Sequence, residues 1–116
     1  FVVNDKLGTP TYTHDFARNV KLLLEKEFWG LYNMVCDGMT GRFEVAQELI
    51  KVLNLESEVK VTPVGSEFWK GEYFADRPPS ERLINRKLDA RGLNVMRDWR
   101  VCLEEYIDNY YRGFLK

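Results

Sequence analysis

The 116-residue sequence lacks most of what an enzyme is usually assembled from. It contains one histidine and two cysteines. Spacing gives His14 no Ser, Cys or Asp partner for nucleophilic catalysis, so it reads as an exposed helix-start residue. Cys36 and Cys102 stand in separate elements and match no metal-ligand pattern, so they read as two buried, reduced thiols. There is no glycine-rich dinucleotide fingerprint, no phosphate-loop sequence and no nucleophile elbow. Gly38-Met39-Thr40-Gly41 lies between a strand-like run and a helix, but without the Lys-Ser/Thr of a phosphate loop it reads as a turn. No Tyr is followed four residues later by Lys. Hydride transfer by this chain alone is therefore not expected, nor are catalytic residues, cofactor-binding residues or a metal site within it.

Charge of one sign is also missing. Seventeen Lys and Arg oppose eighteen Asp and Glu, for a formal net charge of -1. That balance leaves no electrostatic footprint for nucleic acid or an anionic membrane. No apolar run approaches the ~20 residues that a spanning helix needs, and no stretch reads as a signal peptide. With the thiols read as reduced, the expected location is the cytoplasm. What remains is ordinary globular composition, 45% hydrophobic and 30% charged, in a chain of single-domain length.

The chain opens on Phe1-Val2-Val3-Asn4, a strand-like run with no preceding methionine. It therefore reads as part of a larger protein whose N-terminal portion lies upstream. Gly8-Thr9-Pro10-Thr11-Tyr12-Thr13-His14-Asp15-Phe16-Ala17 follows. Gly8 permits unusual backbone angles, and Pro10 fixes its own φ and biases Thr9 towards an extended shape. Thr13 is the expected N-cap of a first helix over 13–27, with Asp15 in its first turn where the dipole favours negative charge. Such a hydroxyl-rich loop at a helix start suits either a polar ligand or plain capping.

Along that helix Phe16, Val20, Leu23, Leu24 and Phe28 recur at helical spacing and predict its buried face. Residues 31–36 read as a strand that is apolar on both faces. A second helix over 41–53, with Thr40 as N-cap, carries the stripe Phe43, Ala46, Leu49, Ile50 and Leu53, and Asn54 suits a left-handed C-cap. Residues 59–64 read as a strand ended or edged by Pro63. The segment 65–82 is long for a loop and rich in aromatics. Its Phe68, Trp69, Tyr73 and Phe74 suit either stacking on a base or sugar or plugging the loop onto the core. Arg77, held before Pro78, is the best-placed cation for a phosphate. Asn85 is the expected cap of a short helix closed by Gly92. Asp98 caps a last helix with Trp99, Cys102, Leu103, Tyr106, Ile107 and Tyr110 inward and Glu104, Glu105 and Asp108 solvated. The expected architecture is α/β, one unit over 1–116 in the order β-α-β-α-β-loop-α-α.

Several of these segments, taken in order, resemble dTDP-4-dehydrorhamnose reductases of the extended short-chain dehydrogenase/reductase superfamily. The run from Asn4 to Ala17 is similar to their "DQxGxPTYxxDLA" segment. Residues 30–35 resemble "GIYHVV", and Phe43-Glu44-Val45-Ala46 with Leu49-Ile50 resembles "EFAxxI". Val61-Thr62-Pro63-Val64 resembles the strand that follows. Arg77-Pro78 with Asn85, Lys87 and Leu88 resembles "RPxxSxLxNxKL". Trp99-Arg100 with Leu103-Glu104-Glu105-Tyr106 resembles "WREALxEYL". The sequence departs from that pattern at Lys6, through 68–74 and at Pro79-Ser80-Glu81.

The resemblance implies the substrate-binding, C-terminal part of an NADPH- or NADH-dependent reductase. The cofactor and a Ser/Thr-Tyr-Lys set would be held by an N-terminal Rossmann domain of the same chain. The reaction implied is reduction of the 4-keto group of a dTDP-6-deoxy-4-keto-hexose to dTDP-L-rhamnose, with these 116 residues inactive alone. Its implied substrate-binding residues are Thr9, Pro10, Thr11, Tyr12 and Arg77, the last near the diphosphate. A homodimer is a further expectation. The alternatives are a reductase or epimerase for another nucleotide sugar and a non-catalytic regulatory subunit of the same fold.

Overall fold

Val2 and Val3 pair with residues sixty positions downstream, and that pairing is the whole of the regular sheet among the described residues. In the computed structural model, which describes residues 1–72, 75 and 77–113, β1 (Val2–Val3) lies parallel to β2 (Pro63–Val64), with Val2 opposite Pro63 and Val3 opposite Val64. The backbone N–H groups of Val2 and Asn4 donate to the carbonyls of Thr62 and Val64 at 2.9 and 3.0 Å. Neither bond asks Pro63 for the proton it lacks, so proline is tolerated in this ladder. Between the strands stand α1 (Thr13–Glu25) and α2 (Arg42–Val52). A 3₁₀ turn (Ser66–Trp69), α3 (Arg86–Ala90) and α4 (Trp99–Tyr110) follow β2. The class is α/β, as expected.

Three differences from the sequence pattern matter. Residues 31–36 form no strand, because no segment among the described residues lies alongside to complete a ladder. The run over 59–64 enters a ladder only at its last two residues. The buried residues of α1 are Asp15 and Asn19, whereas Phe16, Leu24 and Phe28 are exposed to solvent. Periodicity identified the apolar stripe correctly but not which face meets the rest of the chain. The α2 stripe is only half-buried, and Tyr106 and Tyr110 of α4 are largely exposed while Trp99, Cys102 and Ile107 are buried.

The helix ends show the same mixture. Asp98 caps α4 by accepting the Arg100 N–H at 2.8 Å, and Asn54 (φ 55°) and Gly92 (φ 64°) adopt the left-handed conformation after their helices. Thr13 is not a cap. The Phe16 N–H already bonds the Tyr12 carbonyl at 3.0 Å, so the helix begins one residue early and Thr13 lies inside it. At α2 the N-cap is Gly41 rather than Thr40, and the Glu44 carboxylate reaches back to the Gly41 N–H at 3.0 Å. Asn85 precedes α3, but its side chain bonds elsewhere.

The core is thin. Tyr12, Cys36, Met96, Trp99 and Cys102 pack together, with Met34, Val45 and Leu103 against them. The molecule measures 47 × 38 × 19 Å, with a radius of gyration of 16.7 Å. A compact domain of this length has a radius near ~13 Å, so the chain forms a slab with much apolar surface uncovered. Trp99 is the largest buried side chain, and Gly38 lies against it. Gly38 has φ +94°, and a Cβ there would sit 2.8 Å from Trp99 Cδ1. Gly38→Ala is therefore expected to cost about 1–3 kcal/mol, read as a lower urea midpoint. Gly71→Ala, which meets nothing within 4 Å, should leave the midpoint nearly unchanged.

Candidate functional site

Asp15 holds the opening loop to the C-terminal third of the chain. Its side chain is fully buried, yet both carboxylate oxygens are bonded. Arg97 Nε lies 3.0 Å from Oδ2 and Nη2 lies 2.8 Å from Oδ1, and the Arg97 backbone N–H donates to Oδ2 at 3.0 Å. Arg18 donates to Oδ1 from the same helix, and the Cys102 thiol donates to Oδ2 at 3.4 Å. Burial works to raise the Asp15 pKa, but the side-chain and backbone bonds from Arg97 outweigh it and hold the group well below the usual carboxylate range. One helical turn on, the Asn19 amide donates to the Leu93 carbonyl at 2.9 Å and accepts the Val95 N–H at 3.0 Å. Residues 93–97 thus lie along α1 on three polar anchors.

The anchoring continues into the loop. The Asp37 N–H donates to the Arg97 carbonyl at 2.9 Å, and the Trp99 N–H donates to the Asp37 carbonyl at 3.1 Å. Thr9 Oγ1 donates to the Gly38 carbonyl at 2.7 Å, and the Gly8 N–H to the Thr40 carbonyl at 3.0 Å. On the opposite side the Leu7 N–H donates to the Pro79 carbonyl at 2.9 Å, and the Glu81 N–H to the Leu7 carbonyl at 2.8 Å. Lys6 Nζ donates to the Arg77 carbonyl at 2.7 Å. The opening loop is therefore clamped between the 37–41 turn and the 77–81 segment.

The clamp ties the stretch that leads into the expected site residues to the Arg77 carbonyl on one side and to the 37–41 turn on the other. Pro10 and Thr11 are exposed, and Thr9 is half-buried with its hydroxyl occupied. Arg77 stands out from the neighbouring segment, its guanidinium 3.9 Å from Glu81 and mostly exposed. An exposed pair at that distance holds a side chain weakly, so the guanidinium remains available to an anion. Tyr12 departs from the group. Its ring is buried in the core and stacks on His14, with centroids 4.9 Å apart. Burial raises its pKa. It supports the loop from behind.

Of the loop aromatics, Phe68 packs on Phe1 at 5.1 Å and on Trp69 at 5.1 Å, beside a turn whose start is held by Asp5 through the Ser66 N–H and hydroxyl. Tyr73 and Phe74 lie outside the described residues. His14 is exposed, as expected, with Nε2 3.0 Å from the Tyr110 hydroxyl.

Cys36 and Cys102, distant in sequence, are neighbours in space. Both are free and buried, with sulfurs 3.7 Å apart. Together with Asp15 they place three metal-ligating atoms within 4.8 Å of one another. Asp15 is already saturated by guanidinium and backbone donors, and burial raises the Cys102 thiol pKa further above its ordinary value. The arrangement is a hydrogen-bond chain, in which the Tyr12 N–H donates to Cys36 Sγ at 3.3 Å and the thiols pass it on to Asp15.

Sequence reasoning missed Arg97, Asn19 and the bonding of Asn85 and Glu105. Arg97 has no periodic signal beside the Asp98 cap, and Glu105, read as solvated, instead pairs with Arg97.

The comparisons with known proteins agree with this architecture. The family model described as the RmlD substrate binding domain matches residues 1–112. A dTDP-4-dehydrorhamnose reductase of Mycolicibacterium smegmatis is 28% identical over 107 residues, covering 91% of this chain and 32% of the relative. The structure of a dTDP-4-dehydrorhamnose reductase from Clostridium acetobutylicum superposes with a TM-score of 0.86 at 33% identity, covering 93% of this chain and 37% of that one. That of Bacillus anthracis, solved in complex with NADP, has a TM-score of 0.81 at 28% identity, covering 94% and 37%. The chain thus spans about a third of the length of the proteins it matches. No helix among the described residues is long and apolar enough to cross a membrane.

Asp15→Asn removes the buried carboxylate that accepts from Arg97 and Arg18, while Arg97 keeps Glu105 and stays partly exposed, so the change should cost about 1–3 kcal/mol. Because the folded pKa of Asp15 lies below the unfolded value of about 3.9, its contribution is complete above that value. It fades as pH falls towards the folded pKa. Urea titrations from pH 7 down to pH 3 should show the wild type losing stability more steeply than Asp15→Asn. Parallel curves would contradict this assignment.

Proposed function

Since the chain belongs to the RmlD substrate-binding domain family, we propose that it forms the substrate-binding part of a cytoplasmic, NADPH-dependent reductase of dTDP-4-keto-6-deoxy sugars. The observation that carries this reading is the clamp on residues 6–9. It ties Lys6 and Leu7, which lead into Thr9, Pro10 and Thr11, to a segment whose Arg77 guanidinium is mostly exposed. A nucleoside diphosphate sugar needs both features. Its diphosphate takes a guanidinium that can bond two oxygens at once. Its sugar and base need a wall whose position does not change on binding, since ordering a loose loop would weaken affinity.

In this reading the chain binds and orients, and the chemistry is supplied by a part of the protein that carries the cofactor. The relative solved with NADP supports that cofactor. Thr9 serves through its backbone and the turn it ties to Gly38, Pro10 and Thr11 supply the contact surface, and Tyr12 backs them from the core. Arg77 neutralises charge on the diphosphate. No proton transfer is assigned to these residues, because none of them has a donor–acceptor pair suited to it.

The test is the affinity of the full-length protein for a dTDP-sugar. Arg77→Ala should weaken binding by about 1–3 kcal/mol through loss of a charge-assisted contact, with the melting temperature unchanged because the side chain is exposed. Unchanged affinity would make Arg77 structural and remove the anion-binding half of the proposal.

A further inference from the structure

The segment that carries Arg77 is not placed by packing. Every residue from Arg77 to Ile84 is exposed, so burial does not decide where the segment lies. Hydrogen bonds to residues 6 and 7 do. The Leu7 N–H donates to the Pro79 carbonyl at 2.9 Å, and the Glu81 N–H donates to the Leu7 carbonyl at 2.8 Å. These are backbone bonds, open to any residue at position 7 except proline. The third bond depends on a side chain. Lys6 Nζ donates to the Arg77 carbonyl at 2.7 Å, on the very residue that bears the guanidinium.

Both ends of that bond are constrained. Before Lys6, the Asn4 N–H donates to the Val64 carbonyl at 3.0 Å, and the Asp5 carboxylate accepts the Ser66 N–H and hydroxyl at 3.0 and 2.8 Å. After it come the Leu7 bonds and the Gly8 N–H, which donates to the Thr40 carbonyl at 3.0 Å. Lys6 thus extends its ammonium from a backbone tied on either side. At the other end, the Arg77 carbonyl belongs to the peptide that precedes Pro78. A residue before proline is confined to extended angles, and Pro78 and Pro79 each have a fixed φ. Few rotations remain between the Arg77 and Pro79 carbonyls. Holding both fixes the Arg77 Cα and the direction in which its side chain leaves. The exposed Arg77–Glu81 pair at 3.9 Å is too weak to do this, whereas a hydrogen bond from an ammonium is among the stronger kinds.

We propose that Lys6 is the positioning residue for Arg77: its ammonium pins the Arg77 carbonyl, so the guanidinium is already in place for the diphosphate of a nucleotide sugar. The proposal rests on the substrate reading above and adds to it a residue that acts through another. An arginine on an exposed, unpinned segment would lose its freedom only on binding, and that loss subtracts from affinity. Lys6 moves the ordering into the folded protein. Its own contact is with the backbone of Arg77, and the anion contact is left to the guanidinium.

The test uses the full-length protein, with dTDP as the ligand in calorimetric titrations. Lys6→Met keeps an unbranched stem but cannot donate, and should weaken dTDP binding about three- to tenfold, the scale of ordering one long side chain. Lys6→Arg keeps a donor and should restore most of that loss. In an Arg77→Ala background, Lys6→Met should have almost no further effect, because a residue that acts only through Arg77 has nothing left to position. An additive loss in the double variant would overturn the proposal, since Lys6 would then act on the anion itself. Unchanged affinity in Lys6→Met, or an equal loss in Lys6→Arg, would overturn it too. Amide hydrogen exchange without ligand gives an independent reading. The Leu7 and Glu81 amides should exchange faster in Lys6→Met than in the wild type or Lys6→Arg, with the Asn4 amide unchanged. Equal rates in all three would remove the hold of Lys6 on the segment. If Arg77→Ala binds dTDP as tightly as the wild type, the substrate reading fails alone, and the exchange rates still decide whether Lys6 places the segment.

Discussion

The pair between the buried Asp15 carboxylate and the half-buried Arg97 sets which segments of the molecule lie together. Its two residues come from opposite ends of the chain, and the small cluster of Tyr12, Cys36, Met96, Trp99 and Cys102 packs beside them. In a slab 19 Å thick, few side chains can be removed fully from water. Directional polar contacts then decide which segments lie together. A buried pair of this kind adds little net stability compared with well-packed apolar residues. What it contributes is register: the guanidinium and the Arg97 backbone N–H address both oxygens of one carboxylate. From Arg97 the order passes through Asp37 and Gly38 to Thr9, so the loop at the candidate site is placed by a charge pair remote from it.

That route changes the meaning of residues in the opening stretch. On the sequence, Asp15 is a helix-start residue suited to the dipole, and its position in the first turn is correct. Its larger role, as the buried partner of Arg97, has no local signature, because pairing across 82 positions is set by tertiary packing. Tyr12 is part of the loop in sequence and part of the core in space. The helices, the Asp98 cap, the left-handed Asn54 and Gly92, and the class of the fold were all legible from spacing and turn chemistry. Those features depend on residues within one or two turns of each other.

What was not legible depends on neighbours. The apolar stripe of α1 and the run over 31–36 have the patterns of buried elements, and the structure leaves Phe16, Leu24, Phe28 and Leu31 exposed. A pattern records what a segment is built to pack against and cannot say whether the partner lies within the same stretch of sequence. For 31–36, the backbone contacts are made by side chains at and before α3 rather than by a second strand. Asn85 illustrates it at a single residue. Read as a helix cap, it instead serves as a side-chain substitute for a strand neighbour on one edge of 31–36.

The central claim is that the clamped loop and Arg77 form one face for a nucleoside diphosphate sugar. Chemical-shift mapping of backbone amides during titration with dTDP tests it most directly, since it detects weak binding and locates it. The account predicts the largest changes at Gly8, Thr9, Thr11 and Arg77. Changes centred instead on the Tyr106, Tyr110 and Tyr111 cluster of α4 and its end, with the loop unmoved, would contradict it.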